Sequence, residues 1–292
     1  MNSRRRFQDL TIRNGFMFAA VMMQDDNSKK FLEMLLQVPI KEVVVSYEKS
    51  LIYNPECKGV RLDVYVQDEN NTRYDIELQV AQQELGKRTR YYHSQMDMDL
   101  LESGHEYKEL PMSYVIFVCD FDPFKKGKYC YTFENRCLEE LSLEMGDESR
   151  SIFLSTEGKD TEKIPKELQA FLEFIKTDNS QNNINIDDEY VKGLQRTIRR
   201  IKESRELEQE FMTWDDIRRD ARLEGKLEGI VEGRKEGMRE SVMDLLKELG
   251  TIPEDIRSRI MSETKENDLK LMIKAASKAS SFEEFRNKIS EI

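Results

Sequence analysis

The alternation of apolar and polar residues between positions 60 and 80 predicts a β-hairpin. Two runs, residues 60–67 and 73–80, alternate in this way, and the turn-rich sequence DENNT separates them. For the apolar faces of both strands to coincide, the two residue numbers of each cross-strand pair must have an even sum. A short loop then sets Asp63 opposite Glu77, and Arg61 opposite Gln79, on the polar face.

The pair formed by Asp63 and Glu77 indicates a binding site for a divalent cation. Directly opposed residues on one face of a sheet have Cβ atoms about 5 Å apart, which is close enough for two carboxylates to share a divalent cation. Without a cation the two like charges repel, so a hard ion such as Mg²⁺, which takes oxygen ligands and keeps several waters, would compensate them. A solvated polar face is the alternative, because any half-exposed hairpin shows the same alternation.

The surrounding pattern predicts an α/β core in which helices flank a mixed sheet. Further strands are predicted at residues 43–47, 114–119, 129–133 and 151–154. A helix is predicted for residues 27–38, with Ser28 as its N-terminal cap and Glu33 on the face away from its apolar residues.

Residues 86–103 are predicted to form one helix that ends at Gly104. A semi-polar stripe, with one member every three or four residues, consists of Arg88, Tyr92, Gln95 and Asp99. If the hairpin is a catalytic site, Arg88 faces a phosphate and Gln95 lies near the scissile group. In the alternative, the tyrosines pack on the sheet and Arg88 pairs with a nearby aspartate, since a guanidinium suits both partners.

From residue 187 to residue 249 strand signals vanish and charged helix formers predominate, which predicts a long helical arm. Within the arm a glycine follows a glutamate at positions 225, 229, 233 and 237. Each glycine costs about 1 kcal/mol relative to alanine, so the arm is a weak helix by itself. A charged tether and a homodimer made by close helix contact both remain open, although no apolar heptad seam accompanies the glycines. Residues 250–292 are predicted to form a small helical terminal region.

Composition narrows the classes of protein. The chain has 292 residues and a net charge of −11, which counts against simple electrostatic DNA binding, although basic residues cluster locally, as at 196–202. No stretch reaches the roughly 18 apolar residues of a membrane span, so we expect a soluble, cytoplasmic protein without membrane contact. The four cysteines lack the spacing of zinc sites and are expected to be reduced. With two histidines and no glycine-rich phosphate loop, a His-based triad and a P-loop NTPase are both disfavoured.

Several segments resemble the PD-(D/E)XK nuclease superfamily. Its signature is an Asp on one strand followed by Glu-x-Lys on the next, and Asp63 with Glu77-Leu78-Gln79 resembles its branch of recombination-promoting nucleases and transposases. The resemblance continues through KRTRYYHSQ at 87–95, VIFVCDFDPF at 115–124 and PKELQAFLEFI at 165–175. It implies a restriction-endonuclease-like domain at residues 1–180, followed by the arm and the terminal region.

The resemblance also implies roles for individual residues. Asp63 and Glu77 are expected to bind the metal, Mg²⁺ or alternatively Mn²⁺, that activates water to cleave DNA. Glu33 is a further candidate ligand, because an acid on the first helix often completes the metal site in this superfamily. Arg61, Arg88 and Gln95 are expected to contact DNA.

Gln79 stands where the superfamily usually has Lys. An amide there is neutral, and losing one preorganised charge costs on the order of 10² to 10³ in rate. Gln79 is therefore expected to assist catalysis weakly in a DNA endonuclease. The rival expectation is a catalytically impaired nuclease-fold module that binds DNA or protein on a helical scaffold. RNA is an alternative substrate, because the chemistry of phosphodiester hydrolysis at this site does not depend on the 2′-hydroxyl.

Overall fold

A six-stranded sheet lies within the first of two compact units, Met1–Phe211 and Met212–Ile292. The computed structural model describes residues 6–51, 60–101, 104–177 and 186–290. The strands are β1 Val43–Leu51, β2 Val60–Asp68, β3 Arg73–Gln79, β4 Ser113–Cys119, β5 Cys130–Phe133 and β6 Ser149–Ser155. Their order in the sheet is β1-β2-β3-β4-β6-β5. The pairs β3–β4 and β4–β6 are parallel and the others antiparallel, so the predicted mixed sheet is confirmed.

Nine α-helices are found in the described ranges. They are α1 Gly15–Met22, α2 Asp25–Leu36, α3 Gly86–Leu100, α4 Lys166–Thr177, α5 Glu189–Glu203, α6 Arg205–Lys247, α7 Glu254–Ser262, α8 Glu266–Ala276 and α9 Phe282–Ile289. The helix α2 begins earlier than expected, after Gln24, and Ser28 is not its cap. The hydroxyl of Ser28 donates instead to the carbonyl of Met22, because α1 and α2 follow each other closely and the end of α1 leaves that carbonyl free.

The hairpin register predicted from the sequence is confirmed. The ladder between β2 and β3 runs from Gln67 opposite Arg73 to Val64 opposite Ile76, and it ends there. Beyond that pair β2 continues along β1 and β3 continues along β4. The strands therefore stop pairing immediately before the position where Asp63 and Glu77 face each other.

Helices cover both faces of the sheet. Tyr92 and Met96 of α3 pack in one buried cluster with Val115 and Phe117 of β4. The strand register places Asp75 beside Val115 and Glu77 beside Phe117, on this same face. The solvated polar face considered as an alternative is therefore wrong, because α3 buries the acidic side of the hairpin.

The opposite face of the sheet packs against α1 and α2, which contact β2 and β1. A second layer follows, since α4 and α5 pack on α2 and on each other, with the rings of Phe31 and Phe171 5.2 Å apart. Helix α5 thus lies within the first unit, which extends to Phe211 and past the boundary at residue 180 that the sequence suggested. The apolar side of α5 carries Val191, Leu194 and Ile198, and their burial against the core explains this difference.

The second unit has its own core, which the end of α6 builds with the three helices that follow. Its buried members include Val242, Leu246, Ile256, Ile260, Leu269, Met272 and Phe285. Toward the middle of α6 the side chains of Leu223, Leu227 and Ile230 share one stripe of the helix, and the structure shows that they are exposed. A methyl group added at any of the four arm glycines would meet no atom within 4 Å in the described parts of this chain. Homodimerisation through this arm stays a prediction.

Two further expectations concern the membrane and the cysteines. None of the helices in the described ranges has the length and apolar character needed to cross a membrane. Cys119, Cys130 and Cys137 are free thiols, while Cys57 lies outside the described residues.

Candidate active site

Three carboxylates gather where β2 and β3 part. Asp75 and Glu77 are buried in β3 with 0% and 2% of their surface exposed, whereas Asp63 in β2 is half-buried. The backbone N–H of Asp63 donates to Oε1 of Glu77 at 3.1 Å. Asp63 is the first residue of β2 beyond its ladder with β3, and its backbone N–H is bonded to the Glu77 side chain instead of to a backbone carbonyl of β3.

Asp75 is the least satisfied group of this site. Neither of its carboxylate oxygens has a hydrogen-bond partner among the residues that the structure describes. Burial, and then the nearby charges of Glu77 and Asp63, raise the pKa of Asp75 well above its ordinary value. A buried polar group without a partner is costly, and such groups occur where function requires them.

Arg88 joins the Glu-x-Gln motif to helix α3. Its Nη2 donates to Oε2 of Glu77 at 2.6 Å, its Nη1 to Oε1 of Gln79 at 3.1 Å and its Nε to the hydroxyl of Tyr92 at 2.7 Å. The guanidinium also lies over the rings of Tyr92 and Phe117, 4.9 and 5.4 Å from their centroids. All of its nitrogens are thus held, and the positive charge is fixed beside Glu77.

Burial dominates the electrostatics of Glu77. Burial, and then the charge of Asp63, raise the pKa of Glu77 to about 8, although Arg88 and the bond from the Asp63 backbone act in the opposite direction. The carboxyl group is therefore mostly protonated at neutral pH and half-protonated near pH 8. Anything that adds positive charge beside it would drive the proton off.

A family model described as PD-(D/E)XK nuclease family transposase matches residues 13–223. This range holds the whole carboxylate site, and it spans well over half of the chain. The chain belongs to this family. No curated protein and no solved structure matches it. Membership supports a nuclease or transposase-like function, implies DNA as the substrate, and agrees with the observed α/β fold.

In this PD-(D/E)XK nuclease fold, four of the residues chosen from the sequence come together. Asp63, Glu77, Gln79 and Arg88 form one connected set of hydrogen bonds. The amide of Gln79 is engaged at both ends, because its nitrogen donates to the carbonyl of Ala81 while its oxygen accepts from Arg88. Arg61 lies in β2, and its side chain is outside the described residues.

Two other sequence candidates lie apart from this set. The Oε1 atom of Glu33 accepts from the backbone nitrogen of Ile40 at 3.0 Å, which ties it to the chain after α2. Gln95 is buried on α3, where its amide lies 3.9 Å from the sulfur of Met98. Within the part of the chain that the structure describes, no hydrogen bond links either residue to the three carboxylates.

Two members of the site were not chosen from the sequence. Asp75 has the same strand parity as Glu77, two residues away, and this parity was the available signal for its place on the same face. Tyr92 belongs to the semi-polar stripe of α3 and was expected only to pack. Its hydroxyl accepts from Arg88, and its hydrogen bond to Glu77 helps to lower the pKa of that carboxyl.

The PD-(D/E)XK nucleases generally use divalent metals, and the donors of this site fit one. Among the described residues no three His, Cys, Asp or Glu side chains are placed to enclose a metal ion. Mg²⁺, however, keeps several waters and commonly takes only one or two carboxylates from the protein. Asp63 and Glu77 supply such a pair, and the unpartnered carboxylate of Asp75 adds a demand for positive charge.

Proposed function

We propose that this chain is a metal-dependent DNA endonuclease of the recombination-promoting type, which hydrolyses phosphodiester bonds at the Asp63 and Glu77 site. One observation carries the proposal, namely the buried acidic cluster in which Asp75, beside Glu77, has no hydrogen-bond partner in the part of the chain that the structure describes. A stable fold has no structural use for this arrangement, because it concentrates like charges away from water.

Asp63 and Glu77 would hold Mg²⁺ or Mn²⁺, with Asp75 behind them adding negative charge. When bound, such an ion supplies Lewis-acid chemistry, polarising a phosphoryl oxygen and lowering the pKa of water. Glu77 would give up its proton on holding such an ion, since its pKa of about 8 keeps it mostly protonated near neutral pH. Asp63 orients the Glu77 carboxylate through its backbone N–H.

Arg88 supplies the positive charge that Gln79 lacks. Its guanidinium touches the Gln79 oxygen, and its side chain keeps 31% of its surface exposed, so a phosphate can approach it. The amide of Gln79 then positions the guanidinium, and the pair takes the place of the single Lys that is usual in the superfamily. Arg88 holds Glu77 in the absence of substrate and stabilises negative charge on the phosphate during hydrolysis.

A second candidate function is a catalytically impaired nuclease-fold module that binds DNA or protein. The observation in its favour is that Arg88 already occupies Oε2 of Glu77, and that both ends of the Gln79 amide are bonded. In this case the ion pair replaces the metal, and the fold serves as a scaffold.

One assay separates the two functions. Purified protein is incubated with supercoiled plasmid, and in parallel with single-stranded RNA, in the presence of Mg²⁺, Mn²⁺ or a chelator. Nicking that requires metal and disappears in the Glu77→Gln variant supports the endonuclease. Binding of DNA without cleavage under every metal condition supports the binding module, and cleavage of RNA alone would change the substrate.

A further inference from the structure

A pocket of about 820 Å³ lies between α2 and α5, away from the carboxylate site. The two sites lie on different sides of the sheet. Leu35 and Leu36 of α2 line a shared cavity with Tyr74, Tyr114 and Ile152 of the sheet face opposite to α3. The α2–α5 pocket therefore belongs to the helical layer that does not cover Asp75 and Glu77.

The walls of this pocket concentrate positive charge. Lys30, Arg196, Arg199 and Arg200 line it, against Asp26 as the one acidic residue among its lining side chains. All four cations are exposed, on a chain whose net charge is −11. Four cations in one pocket of an acidic chain are not expected from its overall composition, so the cause of their clustering must lie in the pocket itself.

The four cations have no carboxylate partner within 4 Å among the described residues, so they are not members of surface ion pairs. The side-chain hydrogen bond that Arg200 makes is with the hydroxyl of Thr197, at 3.3 Å. Of the four residues, Arg200 lies in the last turn of α5, where a cation complements the helix dipole. The helix dipole therefore explains the position of Arg200, but it does not explain those of Lys30, Arg196 and Arg199.

The framework of the pocket is firmly built. Asn27 and Thr197 are buried polar residues in its lining. The hydroxyl of Tyr190 on α5 donates to the carbonyl of Asn27 on α2 at 3.0 Å, and the side chain of Asp188 caps α5 by accepting from Val191. The cations are thus mounted on two helices whose mutual position is fixed, as a preorganised anion site requires.

We propose that the α2–α5 pocket binds phosphates of a polynucleotide backbone, as a second docking site separate from the carboxylates. Arginine forks suit the paired oxygens of a phosphodiester, and cations on two helices can meet successive phosphates of one strand. The choice of a polynucleotide, rather than a free phosphorylated ligand, rests on the proposed nuclease function. The pocket would hold DNA while the carboxylate site acts elsewhere along it.

The test uses the full chain, a fluorescently labelled DNA duplex and a chelator, so that no cleavage is needed. The variant Arg196→Gln/Arg199→Gln/Arg200→Gln removes three charges from the pocket. The matched control, Lys226→Gln/Lys274→Gln/Lys278→Gln, removes three exposed charges from the second unit. Fluorescence anisotropy gives the dissociation constant over a range of salt concentrations. We expect the salt slope to fall by about 2 to 3 in the pocket variant, at roughly 0.9 per lost phosphate contact, and to stay unchanged in the control.

A second variant guards against misfolding of the first. Lys30→Gln/Arg196→Gln removes one charge from each helix and leaves the last turn of α5 intact, with an expected slope change of about 2. Circular dichroism melting shows whether each variant folds. A salt slope equal to that of the wild type in a folded pocket variant overturns the proposal.

Competition with pyrophosphate and with a free nucleotide distinguishes the sources of phosphate. If these compounds bind in the pocket but the variants keep the wild-type DNA slope, the polynucleotide assignment is overturned in favour of a small phosphorylated ligand. Failure of the proposed function looks different. If the wild-type chain never cuts DNA but the pocket variants show a reduced salt slope, the endonuclease function is wrong and the docking site is supported.

Discussion

The β2–β3 hairpin carries two buried aspartates in opposite states. Asp68, beside the turn, accepts from the backbone nitrogens of Asn70 and Thr72 at 2.9 Å each, and from the hydroxyl of Tyr74 at 2.8 Å. Asp75, on the next strand, is 0% exposed, and neither oxygen has a partner among the described residues. The same residue type, in the same hairpin, is fully bonded at one end and left unsatisfied at the other.

The difference lies in what surrounds each carboxylate. The turn offers Asp68 free backbone N–H groups, so its negative charge stabilises the chain reversal. Asp75 lies in the middle of a ladder, where Tyr65 and Val115 flank it and the backbone donors serve the sheet. The nearby acids Glu77 and Asp63 raise its pKa further, and the charge of Arg88 opposes them only in part. The end of the hairpin at the turn therefore stabilises the fold. The other end, where β2 and β3 part and which we call the open end, keeps an unsatisfied carboxylate of the kind found at functional sites.

The two ends of the hairpin should differ most in how the loss of a carboxylate affects nuclease activity. We expect Glu77→Gln and Asp63→Asn each to lower metal-dependent plasmid nicking by on the order of 10³ or more, because each removes a proposed ligand of the cation. Asp68→Asn, the matched control at the turn end, should retain nicking as long as it is folded. Full nicking by either open-end variant would show that the site is assigned wrongly.

The pH dependence of stability offers the next largest effect. In chelator the folded-state pKa of Glu77 is about 8, against an ordinary value of 4.5. The folded chain keeps a proton that the unfolded chain loses in this interval, so stability is fully present below pH 4.5 and is lost as pH rises towards 8 and above. The loss should amount to a few kcal/mol, and the raised pKa of Asp75 acts in the same direction.

Urea unfolding in chelator between about pH 5 and pH 9 measures this loss. Glu77→Gln should flatten the profile, because it removes the titrating group. Mg²⁺ or Mn²⁺ should restore stability more at pH 8 than at pH 6, since the cation competes with the proton. A wild-type profile that rises from pH 6 to pH 9 without metal would contradict the raised pKa of the open end.

The two aspartates should also differ in their contribution to the free energy of unfolding. Asp68→Asn keeps one oxygen for the two backbone N–H groups, but it removes the negative charge and places an NH₂ where the hydroxyl of Tyr74 now donates. We therefore expect a loss of about 1 to 3 kcal/mol. Asp75→Asn replaces a carboxyl group that has no hydrogen-bond partner among the described residues and whose pKa burial raises, so stability at pH 8 in chelator should be unchanged or raised. A loss for Asp75→Asn that equals the loss for Asp68→Asn would remove the distinction between the two ends.

Much of this hairpin could be predicted from the sequence, because strand parity is a local property. The alternation of residues 60–67 and 73–80 fixes which side chains share a face, and the confirmed register follows from it. The burial of that face could not be predicted in the same way. It depends on how α3, through Tyr92 and Met96, packs on the neighbouring strand β4, and a polar stripe on a helix does not reveal such a partner.

The helical layer shows a second limit. The segment that forms α1 carries Phe16, Met17 and Phe18 in succession, and all three are buried. A helix that is apolar on nearly every side has no amphipathic period, so the pattern of the sequence did not identify it. The role of Asp75 was hidden for a related reason, because an acidic residue on a predicted polar face looks solvated until its surroundings are known.

The smallest expected effect compares two glutamines, one near each end of the hairpin. Gln79 accepts from Arg88 at the open end, whereas the amide of Gln67 donates to the exposed Asn71 beside the turn. If Gln79 positions the guanidinium of Arg88, Gln79→Ala should lower the maximal cleavage rate about tenfold, the kinetic equivalent of one charge-assisted hydrogen bond, and change DNA affinity less. Gln67→Ala should leave both quantities unchanged. Single-turnover kinetics with excess enzyme separates the rate constant from binding, and Gln79→Lys, which restores a charge, should keep the fold. Equal losses of rate and affinity in Gln79→Ala would assign the amide to substrate docking, and the open end would then be distinguished by its carboxylates alone.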